Sequence, residues 1–284
     1  MVPINFWLLV SGSAAPPISD VQLCQHVLTA HRRGDATSEI ASLVATGRPV
    51  AVELEAPPES RSIFLPCTAR AIALQEISFG DAGFGGKVWE AGIALGIWLA
   101  ERQERVRGQR VLELGSGVGF AGLAACAASA NQVTLTDLAD RPALLRTLER
   151  NALDNGFSSA AAVKPLDWHD CLNESFTPLG AYDLILGADC IYYESDAPAL
   201  AAALARHTAP GGTAVLMNRV GRAGDAVQAL MRCLRDMDGG DLEEVQEMTV
   251  VNNYSEEALS LVQWTKHQDE NSASRARSLA GAAG

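Results

Sequence analysis

An acidic residue and a cluster of glycines stand at the spacing of a nucleotide-binding turn. The stretch VLELGSGVGFAGLAACA begins at residue 111 with the pattern of a buried strand, breaks at Gly115 and continues as an apolar helix. Such a turn presents backbone amides to a polar or anionic nucleotide group. Read from Gly117 it fits G-x-G-x-x-G, the dinucleotide pattern, whereas read from Glu113 it fits E-x-G-x-G-x-G and indicates another ligand.

The position of the glycines relative to the strand favours the second ligand. In a dinucleotide site the first glycine directly follows the strand, but counting from Gly115 the sixth position is Phe120. Glu113 would repel a pyrophosphate and attract the ammonium of S-adenosylmethionine. Asp137 ends the next strand, where a carboxylate accepts ribose hydroxyls from either cofactor, so it does not discriminate. The residues therefore predict S-adenosylmethionine.

The elements that must position this turn alternate between short apolar strands and helices. Strands are predicted over 110–114, 132–137, 160–168, 181–189 and 212–218, with helices over 87–106, 120–130, 141–156, 197–207 and 225–237. This alternation predicts a parallel sheet that is covered on both faces. The last two strands, 242–251 and 258–266, have no helix between them and predict an antiparallel hairpin. The expected fold is α/β and Rossmann-like, with five parallel strands plus that hairpin in a seven-stranded sheet.

Three segments are expected along the chain. Residues 1–80 form an N-terminal extension of helices and strands, with helices over 19–34 and 36–47 and a strand over 69–79. Residues 81–268 form the main domain, in which the helix over 87–106 is amphipathic. Residues 269–284 lack large apolar side chains and are expected to be disordered.

Composition restricts the classes of function. The 284 residues carry a net charge of −12 and are 48% hydrophobic, which is typical of a soluble globular protein and argues against general nucleic-acid binding. The apolar segment INFWLLV is too short to span a membrane, although organelle targeting stays open. The isolated histidines predict no metal site. Scattered cysteines without a C-x-x-C pair favour a reducing compartment, the cytoplasm or alternatively the nucleus.

Over residues 62–266 the chain resembles the family-16, or D/E-x-x-Y, protein-lysine methyltransferases. This family is a branch of the class I seven-strand S-adenosylmethionine-dependent methyltransferases. The resemblance rests on GKVWEAGIALGIWL, VLELGSGVG, VTLTD, the asparagines of LERNALDN, LDW and ILGADCIYY. The glycine motif alone marks the superfamily, whereas the combination with Trp89, LDW and ADCIYY is specific to the branch. His169 departs from the glycine of many relatives, and the first eighty residues match little.

The resemblance implies a role for each motif residue. Asp189 and Tyr192 form the D-x-x-Y motif at the transfer site. Asp137 holds the ribose, Asp167 and Trp168 flank the adenine, and Trp89 lies near the methionine end. The complete predicted cofactor site is Trp89, Glu113, Gly115, Ser116, Gly117, Gly119, Asp137, Asp167, Trp168 and Ala188. Structural roles are the alternatives: a hydrogen-bonded pair for Asp189 and Tyr192, and a helix anchor for Trp89.

The expected function is S-adenosylmethionine-dependent N-methylation of a lysine on a protein substrate. The alternatives are transfer to a protein histidine or a small-molecule amine, or a catalytically silent scaffold that binds the cofactor. A monomer that binds neither membrane nor nucleic acid is expected.

Overall fold

The computed structural model describes residues 6–11, 50–54, 60–237, 239–242, 246–251 and 256–268. The predicted helices over 19–34 and 36–47 and the predicted disordered tail lie outside these residues. Within them, the strands in chain order are β1 (Phe6–Ser11), β2 (Val50–Leu54), β3 (Ser60–Leu65), β4 (Arg70–Gln75), β5 (Arg110–Leu114), β6 (Gln132–Asp137), β7 (Ala161–Pro165), β8 (Tyr182–Ala188), β9 (Thr208–Arg219), β10 (Gly240–Leu242), β11 (Gln246–Val251) and β12 (Glu256–Lys266).

The helices follow the alternation that the sequence predicts. They are α1 (Phe79–Ala82), α2 (Glu90–Glu101), α3 (Gln103–Val106), α4 (Phe120–Ala127), α5 (Pro142–Asp154), α6 (Ala197–His207) and α7 (Val220–Asp236). Short 3-10 turns cover Pro66–Thr68, Gly83–Gly86, Trp168–Leu172 and Glu194–Asp196. Gly156 has φ +75° just beyond α5, in the left-handed conformation that ends many helices.

One sheet runs through the described part of the chain. Its strand order is β4-β3-β2-β1-β11-β12-β9-β8-β5-β6-β7, and β10 pairs with β12. The five strands from β5 to β9 are parallel, and β12 pairs antiparallel with both β9 and β11. The predicted fold class is therefore confirmed. The sheet exceeds seven strands because β1 to β4 extend it through antiparallel pairing with β11.

Both faces of the sheet carry helices. α2, α4 and α5 pack with Val111, Leu135 and Leu186 on one face, whereas α6 and α7 pack with Leu112 and Ile185 on the other. Because side chains alternate along a strand, each parallel strand supplies both cores. This explains the continuous apolar runs in the sequence.

The predicted amphipathic helix over 87–106 differs in the structure. The chain breaks at Arg102 between α2 and α3, and nine of the twelve residues of α2 are buried. β1, β2 and β3 contact α2, as α4 does, and this explains why most of the helix is buried. Among the described residues, no helix combines the length and the hydropathy that a membrane span requires.

Candidate active site

The candidate site lies where the order of the parallel strands reverses. β5 is followed in the chain by β6 on one side, whereas β8 flanks it on the other. At such a switch point the loops after adjacent strands diverge and leave a crevice at their carboxyl ends. A cavity of about 800 Å³ occupies this crevice. That volume is typical of small-molecule sites.

Eleven of the twelve residues that the sequence predicts for the site line this cavity. They are Trp89, Glu113, Gly115, Ser116, Gly117, Asp137, Asp167, Trp168, Ala188, Asp189 and Tyr192. They come from the ends of four parallel strands and from the start of α2, so segments far apart in the chain share one space.

The glycine turn after β5 lines the cavity and requires glycine at two positions. Gly115 and Gly117 have φ of +65° and +53°, which favour glycine. A Cβ added at Gly115 would lie 3.1 Å from the Cβ of Cys190 and 3.3 Å from the indole of Trp168. A side chain at Gly115 would therefore press on Cys190 and Trp168, two other residues that line the cavity.

Gly119 is the predicted site residue outside the cavity lining. It has φ +93° and precedes the first residue of α4. A Cβ added there would collide with Cδ1 of Leu148 on α5. The structure therefore gives Gly119 a packing role between two helices, and its contact with a cofactor stays a prediction.

Glu113 is buried beneath the glycine turn. Its Oε2 accepts a hydrogen bond from the backbone N–H of Gly122, with 3.1 Å between the two atoms. Burial raises the pKa of Glu113 to about 8, although hydrogen bonds from Ser116 and Gly122 oppose the rise. The carboxyl group thus stabilises the start of α4 by accepting a backbone hydrogen bond. Its predicted attraction for the cofactor ammonium stays a prediction.

Asp137 links β6 to the glycine turn. Its Oδ2 accepts a hydrogen bond from the N–H of Gly117 at 2.9 Å, and its Oδ1 accepts one from Leu138 at 2.8 Å. Burial raises the pKa of Asp137, while these two hydrogen bonds act in the opposite direction. The carboxylate is therefore fixed at the cavity wall, where its ribose-binding role stays a prediction.

Asp167 and Trp168 follow β7 and also line the cavity. Asp167 Oδ1 accepts a hydrogen bond from the N–H of His169 at 2.9 Å and lies 3.1 Å from its Nδ1. The other ring nitrogen, Nε2, lies 3.6 Å from Asp196 Oδ1. His169, which the sequence marked only as a departure from the family, is thus a cavity residue between two carboxylates.

Asp189 and Tyr192 lie at different depths. Asp189 is 4% exposed and has φ +45°, and its Oδ1 accepts a hydrogen bond from the N–H of Arg219 at 2.9 Å. Tyr192 is 38% exposed at the mouth of the cavity. The D-x-x-Y motif therefore offers a carboxylate within the cavity and an aromatic ring at its opening.

Sequence reasoning missed the aromatic residues before α2. Phe79 and Phe84 line the cavity, and Trp89 Nε1 donates a hydrogen bond to the carbonyl of Phe84 at 2.9 Å. The ring centroids of Phe84 and Tyr192 are 5.9 Å apart. The one available signal was two phenylalanines among the glycines of FGDAGFGG, because exposed aromatic side chains in a loop often mark a binding surface.

Comparisons with known proteins agree with this geometry. A family model described as "Lysine methyltransferase" matches residues 70–233. Protein N-lysine methyltransferase METTL21A of Danio rerio is 39% identical over 139 residues, which cover 48% of this chain and 61% of that protein. EEF1A lysine methyltransferase 3 of Mus musculus is 33% identical over 159 residues, which cover 55% and 65%.

A third relative is a yeast protein. Protein-lysine N-methyltransferase EFM6 of Saccharomyces cerevisiae is 34% identical over 142 residues, which cover 43% of this chain and 57% of that protein. In all three alignments the chain spans about three fifths of the length of the relative.

Proposed function

Because this chain belongs to the lysine methyltransferase family, we propose that it is an S-adenosylmethionine-dependent N-methyltransferase acting on a lysine side chain of a protein. The observation that carries the proposal is the cavity at the strand-order reversal. It brings together the glycine turn after β5, the carboxylate at the end of β6 and the D-x-x-Y motif after β8.

The residues of the cavity fit the proposed cofactor. The backbone of Gly115 in the cavity wall suits the methionine part, and the carboxylate of Asp137 suits the ribose hydroxyls. Trp168 offers an apolar face, and Asp167 beside it an acceptor for the amine of adenine. When bound, S-adenosylmethionine supplies an electrophilic methyl group on a sulfonium.

The chain's own residues must deliver a neutral amine to that methyl group. A free lysine has a pKa near 10.4, so only about one molecule in a thousand is neutral at pH 7. In the proposed mechanism the buried carboxylate of Asp189 attracts and aims the ammonium, and the ring of Tyr192 excludes water at the mouth. The positive charge of the bound sulfonium would lower the pKa of the amine and favour loss of its proton to water before transfer. Positioning and dehydration then account for the acceleration.

The proposed substrate is a protein, in keeping with the names of the relatives. Among the alternatives, a histidine or a small-molecule amine would need the same neutral nucleophile, and the site geometry does not favour either. The proposed location is the cytoplasm or the nucleus, which imaging of the tagged protein would test.

The first experiment is label transfer to the proteome of the organism itself. The purified protein and its Asp189→Ala variant are incubated with methyl-labelled S-adenosylmethionine and a cell extract. We expect a discrete labelled protein with wild type only, and mass spectrometry then identifies the methylated residue. Cofactor binding without labelled protein would instead favour a small-molecule acceptor or a silent scaffold.

A further inference from the structure

An aromatic track, made of the rings of Phe79, Phe84 and Tyr192, runs along the cavity that Asp189 also lines. Phe79 is 66% exposed, and its ring lies 5.1 Å from that of Phe84. The ring of Phe84, in turn, is 5.9 Å from Tyr192 and 6.3 Å from Trp89. Soluble proteins rarely leave several neighbouring aromatic rings exposed unless they bind something.

The segment that carries Phe84 is held in place by the protein itself. Its two ends are joined by a hydrogen bond from the N–H of Ile77 to the carbonyl of Gly86 at 3.0 Å. Gly85 packs directly on the glycine turn, since a Cβ at Gly117 would lie 2.9 Å from the Gly85 carbonyl oxygen. The indole of Trp89 fixes the carbonyl of Phe84. The backbone that carries the ring is therefore positioned before any substrate arrives, which reduces the entropy lost on binding.

The charges beside this track favour a cation. Asp189 lines the same cavity, whereas Asp167 and Asp196, which also line it, both lie beside His169. Lys87 and Arg141 line it too, but each has an acidic neighbour: Lys87 Nζ lies 3.1 Å from Glu76, and Arg141 Nε lies 3.5 Å from Asp140. An amphipathic cation with an apolar stem matches both the rings and the carboxylate of Asp189, and a lysine side chain has this composition.

We propose that Phe84, together with Tyr192, forms the side wall of the path by which the substrate lysine enters, and that Phe84 is a specificity-determining residue of this enzyme. This inference rests on the proposed function. The methylene stem of the lysine packs on the ring of Phe84, and the ammonium passes the ring faces on its way to Asp189. Phe84 consequently sets the affinity for the lysine-bearing segment and leaves the affinity for S-adenosylmethionine unchanged.

Three variants separate the properties of the ring. Phe84→Ala removes it, Phe84→Leu keeps apolar bulk without an aromatic face, and Phe84→Tyr keeps the aromatic face. The matched control is Leu153→Ala on α5, because Leu153 is 55% exposed and does not line the cavity. Each variant is assayed with the purified protein that wild type labels in the extract. KM and kcat for that protein and the Kd of S-adenosylmethionine are measured.

We expect Phe84→Ala to raise KM for the protein substrate roughly tenfold, the size of a partly exposed cation–π contact. We expect kcat and the Kd of S-adenosylmethionine to match wild type. Phe84→Leu should also raise KM, and Phe84→Tyr should raise it less than Phe84→Leu because tyrosine keeps the aromatic face. Leu153→Ala should give the wild-type KM. An unchanged KM in Phe84→Ala, or a parallel rise in the cofactor Kd, would overturn this inference and leave the proposed function standing. A wild type that labels no protein would overturn both.

Discussion

The carboxylate of Asp189 accepts a hydrogen bond from the backbone amide of Arg219, with 2.9 Å between Oδ1 and N. The N–H of Asp189 donates to the carbonyl of Met217 at the same distance, so two bonds tie the turn after β8 to the end of β9. The guanidinium of Arg219 lies 3.2 Å from Glu90 at the start of α2 and 2.7 Å from Glu257 at the start of β12. The proposed transfer residue is thus connected to three separate elements.

This relationship allows the charge of Asp189 to be tested without disturbing its backbone. Asparagine has the same shape, tolerates the left-handed conformation and keeps an oxygen that accepts from Arg219. We expect Asp189→Asn to lower the rate of methyl transfer about 10- to 100-fold, the size of one charge-assisted hydrogen bond. Cofactor titration should give the wild-type Kd. Label transfer at the wild-type rate would remove Asp189 from the mechanism.

A second prediction concerns Asn151, which joins α5 to the edge strand β4. Its Oδ1 accepts from the N–H of Gln75 at 2.8 Å, and its Nδ2 donates to the carbonyls of Gln75 and Val118 at 3.2 and 2.9 Å. Asp in place of Asn would put a carboxylate oxygen against these carbonyls in a buried position. We expect Asn151→Asp to lower the free energy of unfolding by about 3 kcal/mol at pH 7, measured in urea.

The matched control is Asn155→Asp, one helical turn further on. Asn155 makes the same pair of hydrogen bonds with Ala73 of β4, at 2.8 and 2.6 Å, but in a more exposed position. Water can solvate the new charge there, so the decrease in unfolding free energy should be smaller than in Asn151→Asp. Equal losses in the two variants would show that burial does not cause the destabilisation.

The third prediction separates packing from cofactor binding at Gly119. Alanine there is strained by the left-handed φ and collides with Leu148, so we expect Gly119→Ala to lower the free energy of unfolding by about 1–3 kcal/mol. Gly156→Ala is the control, because φ is +75° but no atom lies within 4 Å of the added Cβ. The difference in unfolding free energy between the two variants measures the energetic cost of the collision with Leu148. A weaker cofactor affinity in folded Gly119→Ala would support its predicted binding role.

The fourth prediction is a pH dependence due to Glu113. The folded protein keeps the proton of this carboxyl group up to about pH 8, whereas the unfolded chain releases it near pH 4.5. The stability that protonated Glu113 contributes is therefore complete below about pH 4.5 and is lost as the pH rises to about 8, by at most about 1.4 kcal/mol per unit. In Glu113→Gln the group cannot ionise. We expect its unfolding free energy to fall less between pH 5 and 8 than that of wild type. If the unfolding free energies of the two proteins fell in parallel with pH, ionisation of Glu113 would not be the cause of the pH dependence.

The order of strands and helices could be predicted from the sequence. β5 and β6 and the start and end of α6 lie where the apolar pattern places them, and α5 ends just before Asn155 and Gly156 as expected. These features depend on residues that are neighbours in the chain. The site at the strand ends could also be predicted, since the loops after parallel strands meet at one edge of the sheet.

Contacts between distant segments were decided by the tertiary structure alone. The alternation of strand 69–79 does not reveal that β4 belongs to the same sheet, or that Asn151 pairs with Gln75 at its edge. Nor does it reveal that Phe84 meets Tyr192 across the cavity. A local pattern fixes which face of an element is apolar, because it depends on residues a few positions apart. Which other segment covers that face depends on strand pairing and helix packing, and so only the folded chain shows which side chains surround the site.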